Sequence, residues 1–214
     1  MDTIIRFFQE GGAFMYPITL VLALGIAVTV ERYIYLTRVR SMNNSTWNQL
    51  VPLLNKGDLV SAVRLVESSK SHIAHVVSYG LNQRRTSYHR EDIETAMEEG
   101  LMEILPKLEK RTHYIATFAN LATLLGLLGT IIGLIQAFTA VANADPAEKA
   151  NLLSASIAVA MNTTAYGLIV AIPLLLIYAV IQSKTTDLTD SIEMAAVKIV
   201  NLISGEPKKS GVAQ

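Results

Sequence analysis

The chain has 214 residues, of which 51% are hydrophobic and 17% charged, and its 18 basic and 18 acidic side chains cancel. The charges are clustered and the apolar residues come in blocks, which is typical of a membrane protein. Zero net charge gives no electrostatic support for a nucleic-acid partner, and the absence of cysteine excludes disulfides, thiol nucleophiles and thiolate metal sites.

The N-terminal segment, residues 1–13, contains a short amphipathic stretch from Ile4 to Phe8, followed by Gly11 and Gly12. A glycine pair of this kind often ends a helix. We predict that the segment lies flat on the periplasmic side of the membrane, with a frayed terminus as the alternative.

The next segment, residues 14–36, predicts the first transmembrane helix. It is apolar until Glu31 and Arg32, and the flanking Tyr33 and Tyr35 suit a membrane interface. We interpret Glu31 and Arg32 as a charge pair at the membrane edge, because an anchoring role fits this position better than a catalytic one.

Residues 37–113 predict a cytoplasmic helical domain. One helical pattern opens at Val51 and Pro52, and a second begins at Leu59 with Asp58 as its N-cap. A third begins near His89 and leads toward the second transmembrane helix, with Pro106 as a kink. Its apolar face consists of Ile93, Ala96, Met97, Leu101, Ile104, Leu105 and Leu108.

Two further uncharged segments, 114–141 and 152–181, are each long enough to cross a bilayer, which takes about 20 residues. A short periplasmic loop, 142–151, separates them, and a cytoplasmic helix and tail, 182–214, follow. The predicted apolar face of that final helix comprises Leu188, Ile192, Ala195, Ala196, Ile199 and Leu202. The predicted fold is therefore an all-α membrane protein with three transmembrane helices that extend into a cytoplasmic helical region.

The basic residues predict the orientation. Residues 37–111 hold 11 of the 18 lysines and arginines, whereas the loop between the last two spans holds only Lys149. Cytoplasmic loops carry the excess of basic residues. We therefore predict a periplasmic N-terminus and a cytoplasmic C-terminus.

Small and polar residues form neighbouring stripes on the second and third spans. Small residues let helices approach closely in lipid, and hydroxyl or amide groups in mid-membrane need a partner or a water-filled path. The predicted packing residues are Gly126, Gly129, Gly133, Gly167 and Ala171, and Pro173 is a predicted kink. The predicted polar lining consists of Asn120, Thr123, Thr130, Asn162, Thr163 and Thr164.

Neither of these two spans contains a charged residue, so any mid-membrane acid must come from another chain. We find no catalytic constellation and predict that the chain is not an enzyme. His72 and His75 are three positions apart but lack a nearby third ligand, so we predict no metal site and no cofactor. A non-conducting scaffold, in which each hydroxyl bonds its own helix and the small faces serve only packing, remains the alternative function.

The three spans resemble those of the MotA/TolQ/ExbB proton-channel family. The resemblance rests on Gly11 to Ile18 with Glu31 to Tyr33 in the first span, Ala119 to Gly133 in the second, and Thr163 to Pro173 in the third. Three spans, a short outer loop and a large cytoplasmic loop place the chain nearer to ExbB and TolQ than to MotA.

This resemblance implies an inner-membrane ion channel and molecular motor that uses the proton or sodium motive force. It implies a homopentamer around a dimer of a single-span ExbD/TolR-like partner, whose aspartate takes up the ion. Work would pass through a TonB- or TolA-like protein to an envelope process such as TonB-dependent transport. Thr130 and Thr164 match the family threonines that face the partner aspartate.

Two positions depart from the family pattern. Val159 stands where many members have glutamate, and Thr123 stands where they often have proline. A carboxylate is lost and a hydroxyl is gained, and hydroxyl oxygens can coordinate Na⁺. We favour H⁺ as the transported ion and keep Na⁺ as the alternative.

Overall fold

A computed structural model describes residues 11–142 and 144–204, so the predicted amphipathic stretch from Ile4 to Phe8 lies outside the described residues. The regular structure of the described part is entirely helical. Three of its helical stretches are long and apolar enough to cross a membrane, which confirms the all-α membrane class. The helices are α1 (Met15–Asn55), α2 (Leu59–Ser68), α3 (His72–Arg84), α4 (Arg90–Glu109), α5 (Thr112–Ala142) and α6 (Lys149–Ile203).

Helix α1 runs well past the predicted first span. The expected new helix at Val51 is wrong, because that residue belongs to the last turns of α1. Residues 26–51 contain no glycine or proline, so nothing in the backbone chemistry stops the helix earlier. It ends instead at Asn55, two residues before Gly57, whose φ of +74° is a left-handed conformation that glycine adopts readily.

One compact unit comprises, of the described residues, 11–32, 111–142 and 144–181. It contains the start of α1, all of α5 and the first part of α6. Its small core includes Ile18, Ile115 and Leu174. Much of its apolar surface stays exposed, as expected where lipid or another chain covers it. The most exposed apolar side chains include Leu20, Leu124, Ile135, Phe138, Ile169 and Leu176.

The second compact unit comprises, of the described residues, 33–110 and 182–204. The predicted N-cap of α2 is confirmed, because Asp58 accepts a hydrogen bond of 3.0 Å from the Ser61 amide. In α6, the predicted core position Leu202 is wrong, since its side chain is 42% exposed, and Val200 and Ile203 are buried instead.

The interruption between α4 and α5 lies beyond Pro106, whose predicted kink stays a prediction. That proline lies inside α4, and the helix stops three residues later at Glu109. The next helix begins at Thr112, after Arg111 with a φ of +67°. Lys110 already leaves the helical conformation, with a ψ of 132°. A left-handed Arg111 cannot resume a right-handed helix, so the break lies at Lys110 and Arg111 and not at the proline.

Candidate ion-pathway site

The structure brings Thr130 of α5 and Thr164 of α6 together through a hydrogen bond between their hydroxyl groups. The Thr164 hydroxyl also donates to the Gly126 carbonyl at 2.9 Å. The Thr130 hydroxyl lies 3.2 Å from the Ala160 carbonyl and 3.3 Å from that of Gly126. Both threonines are only partly buried. Two hydroxyls and two backbone carbonyls therefore form one oxygen-rich cluster between two apolar helices.

Glycine makes this contact possible. A Cβ atom on Gly167 would lie 2.7 Å from the Ala122 carbonyl oxygen and 3.1 Å from the Gly126 Cα atom. One on Gly126 would lie 3.3 Å from the Gly167 Cα atom. The two backbones thus meet where neither helix carries a side chain, as small-residue motifs allow in membranes.

The other predicted small residues lie along the same face. A Cβ atom on Gly133 would lie 2.9 Å from the Ala160 Cβ, and one on Gly129 would collide with the Thr163 side chain. Ala171 is buried, with 2% of its surface exposed. Helix α6 continues without interruption through Pro173, so its predicted kink stays a prediction.

Thr163 points away from the Thr130–Thr164 cluster. Its hydroxyl donates to the Gly11 carbonyl at 2.7 Å and lies 3.1 Å from the carbonyl of Val159. Only 3% of the residue is exposed. The structure therefore separates the two adjacent threonines into a buried one facing the segment before α1 and a partly open one facing α5.

The remaining predicted polar residues do not join the cluster. Asn120 and Thr123 are exposed on α5, and the Thr123 hydroxyl donates to the carbonyl of Ala119 in its own helix at 3.2 Å. Asn162 is half-buried on α6. These three positions can contribute to a pathway only through surfaces that another chain covers.

Glu31 and Arg32 each bind a residue at the start of α5. The Arg32 Nε atom donates to the Thr112 hydroxyl at 3.1 Å, and both residues are buried. Glu31 forms an ion pair of 2.6 Å with Arg111, and both side chains are half-exposed. The sequence interpretation missed these two partners. Arg111, the basic residue just before the second span, could have indicated a partner for Glu31.

A second contact that the sequence interpretation missed links α1 to α6. The hydroxyls of Thr19 and Tyr166 lie 3.0 Å apart, and Thr19 also donates to the Met15 carbonyl at 2.8 Å. Tyr166 follows Thr163 by three positions, so the two share a helix face. That spacing could have indicated that this face of α6 contacts the first span.

The two histidines considered for metal binding have other partners. His72 Nε2 lies 3.2 Å from the Tyr35 hydroxyl, whereas His75 Nε2 lies 2.9 Å from a carboxylate oxygen of Glu103. Burial lowers the pKa of His72, and the charges of Lys107 and His75 lower it further. His72 is therefore a neutral hydrogen-bonding partner at neutral pH.

Sequence comparisons place the chain among ExbB- and TolQ-like proteins. The profile of the MotA/TolQ/ExbB proton channel family matches residues 68–194. An ExbB homolog of Methanothermobacter thermautotrophicus is 29% identical over 198 residues, which cover 90% of this chain and 67% of that protein. An ExbB-like protein of Synechocystis is 28% identical over 86% of this chain and 72% of its own length. The Tol-Pal system protein TolQ of Haemophilus influenzae is 35% identical over 39% of this chain and 36% of its own.

Proposed function

This chain belongs to the MotA/TolQ/ExbB proton channel family, and from that premise we propose that it conducts ions through a path lined by Thr130 and Thr164. It is a multi-pass inner-membrane protein of a family with a proton-channel role in energising the cell envelope. That family comprises channel and transport proteins, and we propose that this chain likewise catalyses no reaction.

The observation that carries the proposal is the oxygen cluster around Gly126. Its two hydroxyls lie within helices whose uncharged segments, 114–141 and 152–181, offer no carboxylate of their own. A hydroxyl both donates and accepts hydrogen bonds. The cluster can therefore contact a carboxylate as donor and a protonated carboxylic acid as acceptor.

We propose that the acid comes from a single-span ExbD/TolR-like partner. Family membership implies complexes with partners of this type. A charged carboxylate in mid-membrane is costly unless polar groups face it. The Thr164 and Thr130 hydroxyls would lower that cost while the partner aspartate is ionised, and proton uptake would release the aspartate from them.

The transported ion is proposed to be H⁺. A proton needs only the titrating acid, whereas Na⁺ needs several oxygen ligands at once. The cluster supplies hydroxyl and carbonyl oxygens, and Val159 supplies no carboxylate, so Na⁺ remains the second candidate.

The proposed assembly is a homopentamer around a dimer of the partner, with a TonB- or TolA-like protein as the effector across the periplasm. Support comes from the exposed apolar side chains of α1, α5 and α6, which three helices alone do not enclose. The proposed orientation keeps residues 37–113 and the C-terminus in the cytoplasm, following the distribution of basic residues.

A scaffold without conduction is the second candidate, and one observation favours it. The hydroxyls of Thr123, Thr130 and Thr163 each lie within hydrogen-bond distance of a carbonyl four residues earlier in the same helix. Such bonds satisfy a hydroxyl without any external partner. A scaffold predicts that Thr130→Ala and Thr164→Ala leave envelope function intact.

Disulfide cross-linking tests whether the cluster faces the partner. Because the chain contains no cysteine, Thr164→Cys introduces a unique thiol. We expect it to cross-link to a cysteine placed beside the partner's transmembrane aspartate. Ile169→Cys, on the same helix and 60% exposed but about 140° away around the helix axis, is the matched control. Equal cross-linking from both positions would show that the partner does not select the threonine face.

A further inference from the structure

A cavity in the second compact unit has the features of an anion site. It has a volume of about 290 Å³ and lies between α1 and the turn that leads into α3. Its lining includes the two basic residues Arg38 and Lys70, together with Asn43. Among the described residues that line it, none is a carboxylate.

Asn43 supplies the most specific observation. The residue is 2% exposed, and its Oδ1 atom accepts hydrogen bonds from the amides of His72 and Ile73 at 3.0 and 3.3 Å. Its Nδ2 atom is buried and has no hydrogen-bond partner within the described structure. A buried donor without an acceptor is destabilising, and native structures rarely keep one without an unseen partner.

The two cations are also uncompensated. Within residues 11–142 and 144–204, neither Arg38 nor Lys70 forms an ion pair. His72 adds no charge, because its lowered pKa keeps it neutral. The cavity lining therefore carries two positive charges and includes a residue with one unsatisfied amide donor.

Apolar side chains also line the cavity. They are Val39 and Met42, and Tyr35 lies beside them in the lining. Arg38 follows the predicted end of the first span by two residues on the same helix, a rise of about 3 Å. A ligand with an anionic group beside an apolar body fits this combination better than a free ion does.

We propose that this cavity binds a phosphate group, supplied by the headgroup of an anionic phospholipid. Arg38 and Lys70 would pair with the phosphate oxygens, and Asn43 Nδ2 would donate to one of them. The apolar side chains of the lining would cover the glycerol and the first acyl carbons. This site is separate from the Thr130–Thr164 cluster and does not depend on ion conduction.

Native mass spectrometry of the full chain in detergent tests the proposal, with phosphatidylglycerol and phosphatidylethanolamine as probes. Basic residues at a membrane surface contribute about 1 kcal/mol each toward anionic lipid. We therefore expect the Arg38→Gln, Lys70→Gln double variant to bind phosphatidylglycerol roughly 30-fold more weakly than wild type. Arg40→Gln is the matched control, since Arg40 is equally basic but lines a different cavity.

A second variant tests the role of Asn43 without removing its helix cap. Asn43→Asp keeps an oxygen for the His72 and Ile73 amides but replaces the Nδ2 donor with a second acceptor. We expect it to fold, because a carboxylate at a helix N-terminus is favourable, and to lose phosphatidylglycerol binding. Unchanged binding in this variant and in the double variant would overturn the proposal.

Competition with inorganic phosphate identifies the source of the group. If the lipid supplies it, millimolar phosphate will not displace phosphatidylglycerol. Displacement would show that a soluble phosphate compound occupies the cavity and would overturn the lipid assignment.

Discussion

The hydroxyl of Thr130 on α5 hydrogen-bonds the hydroxyl of Thr164 on α6, and both reach the carbonyl of Gly126. The pair is partly open to its surroundings, unlike the neighbouring Thr163, which is buried. This difference separates a hydroxyl that an ion-binding partner can reach from one that joins two parts of the same chain.

Replacing Thr164 by valine should abolish work output while leaving assembly with the partner intact. The substitution keeps the shape and removes the hydroxyl, and a lost hydrogen bond to a charged group is worth about 1.5–3 kcal/mol. That loss corresponds to roughly 10- to 100-fold slower ion transfer. Thr164→Ser should retain part of the activity. Thr117→Val is the control, because Thr117 bonds only its own helix at the His113 carbonyl.

Gly167→Ala should weaken the α5–α6 contact more than Gly126→Ala does. The new methyl group on residue 167 would lie 2.7 Å from a backbone oxygen, whereas that on residue 126 would lie 3.3 Å from its nearest atoms. Overpacking of this kind costs about 1–3 kcal/mol. Thermal unfolding in detergent compares the melting temperatures of the two variants. A lower melting temperature for Gly126→Ala than for Gly167→Ala would contradict the packing of the two backbones.

Arg32→Gln should destabilise the chain more than Glu31→Gln. Arg32 is buried and binds the buried Thr112, so its removal leaves that hydroxyl without the partner, at a cost of about 1–3 kcal/mol. The Glu31–Arg111 pair is half-exposed and contributes about 0–1 kcal/mol. Chemical denaturation of the two variants compares these costs, and equal losses would refute the assignment.

Arg111→Gly should be nearly neutral despite the loss of the same ion pair. Arg111 has a φ of +67°, which costs a non-glycine residue about 1–2 kcal/mol. Glycine removes that strain while the exposed pair is lost. A loss of stability above about 2 kcal/mol would show that the ion pair and not the backbone dominates at this junction.

Stability should fall as the pH drops below about 6.5, the ordinary pKa of histidine. Burial lowers the pKa of His72 in the folded chain, so the unfolded chain binds the proton more readily. The stabilisation is therefore present above the pKa of His72 in the unfolded chain. It is lost as the pH falls through the lower pKa of His72 in the folded chain. His72→Gln should reduce this pH dependence of the melting temperature.

Periodicity and composition predicted the helical class, the three apolar stretches and the cap at Asp58. They could not predict that α1 would continue to Asn55, because the length of a helix there depends on burial of Asn43 and Thr46 by other helices. The break at Arg111 was likewise hidden, since a left-handed arginine has no signature in the sequence.

The candidate site was only partly predictable. The stripe pattern pointed to Thr130 and Thr164, but it placed Thr163 in the same group. Adjacent positions on a helix differ by about 100° in direction, so Thr163 and Thr164 can both border one stripe. The Gly126 carbonyl could not be foreseen as an acceptor, since backbone groups become available only where glycine lets a second helix approach.

Ion flux into proteoliposomes that hold this chain with its single-span partner tests the central claim most directly. We predict that a proton gradient drives flux, that a sodium gradient alone does not, and that Thr164→Val in an intact complex lowers the flux roughly 10- to 100-fold. Equal flux from wild type and Thr164→Val, or no flux under either gradient from an intact complex, would contradict an ion path through the Thr130–Thr164 cluster.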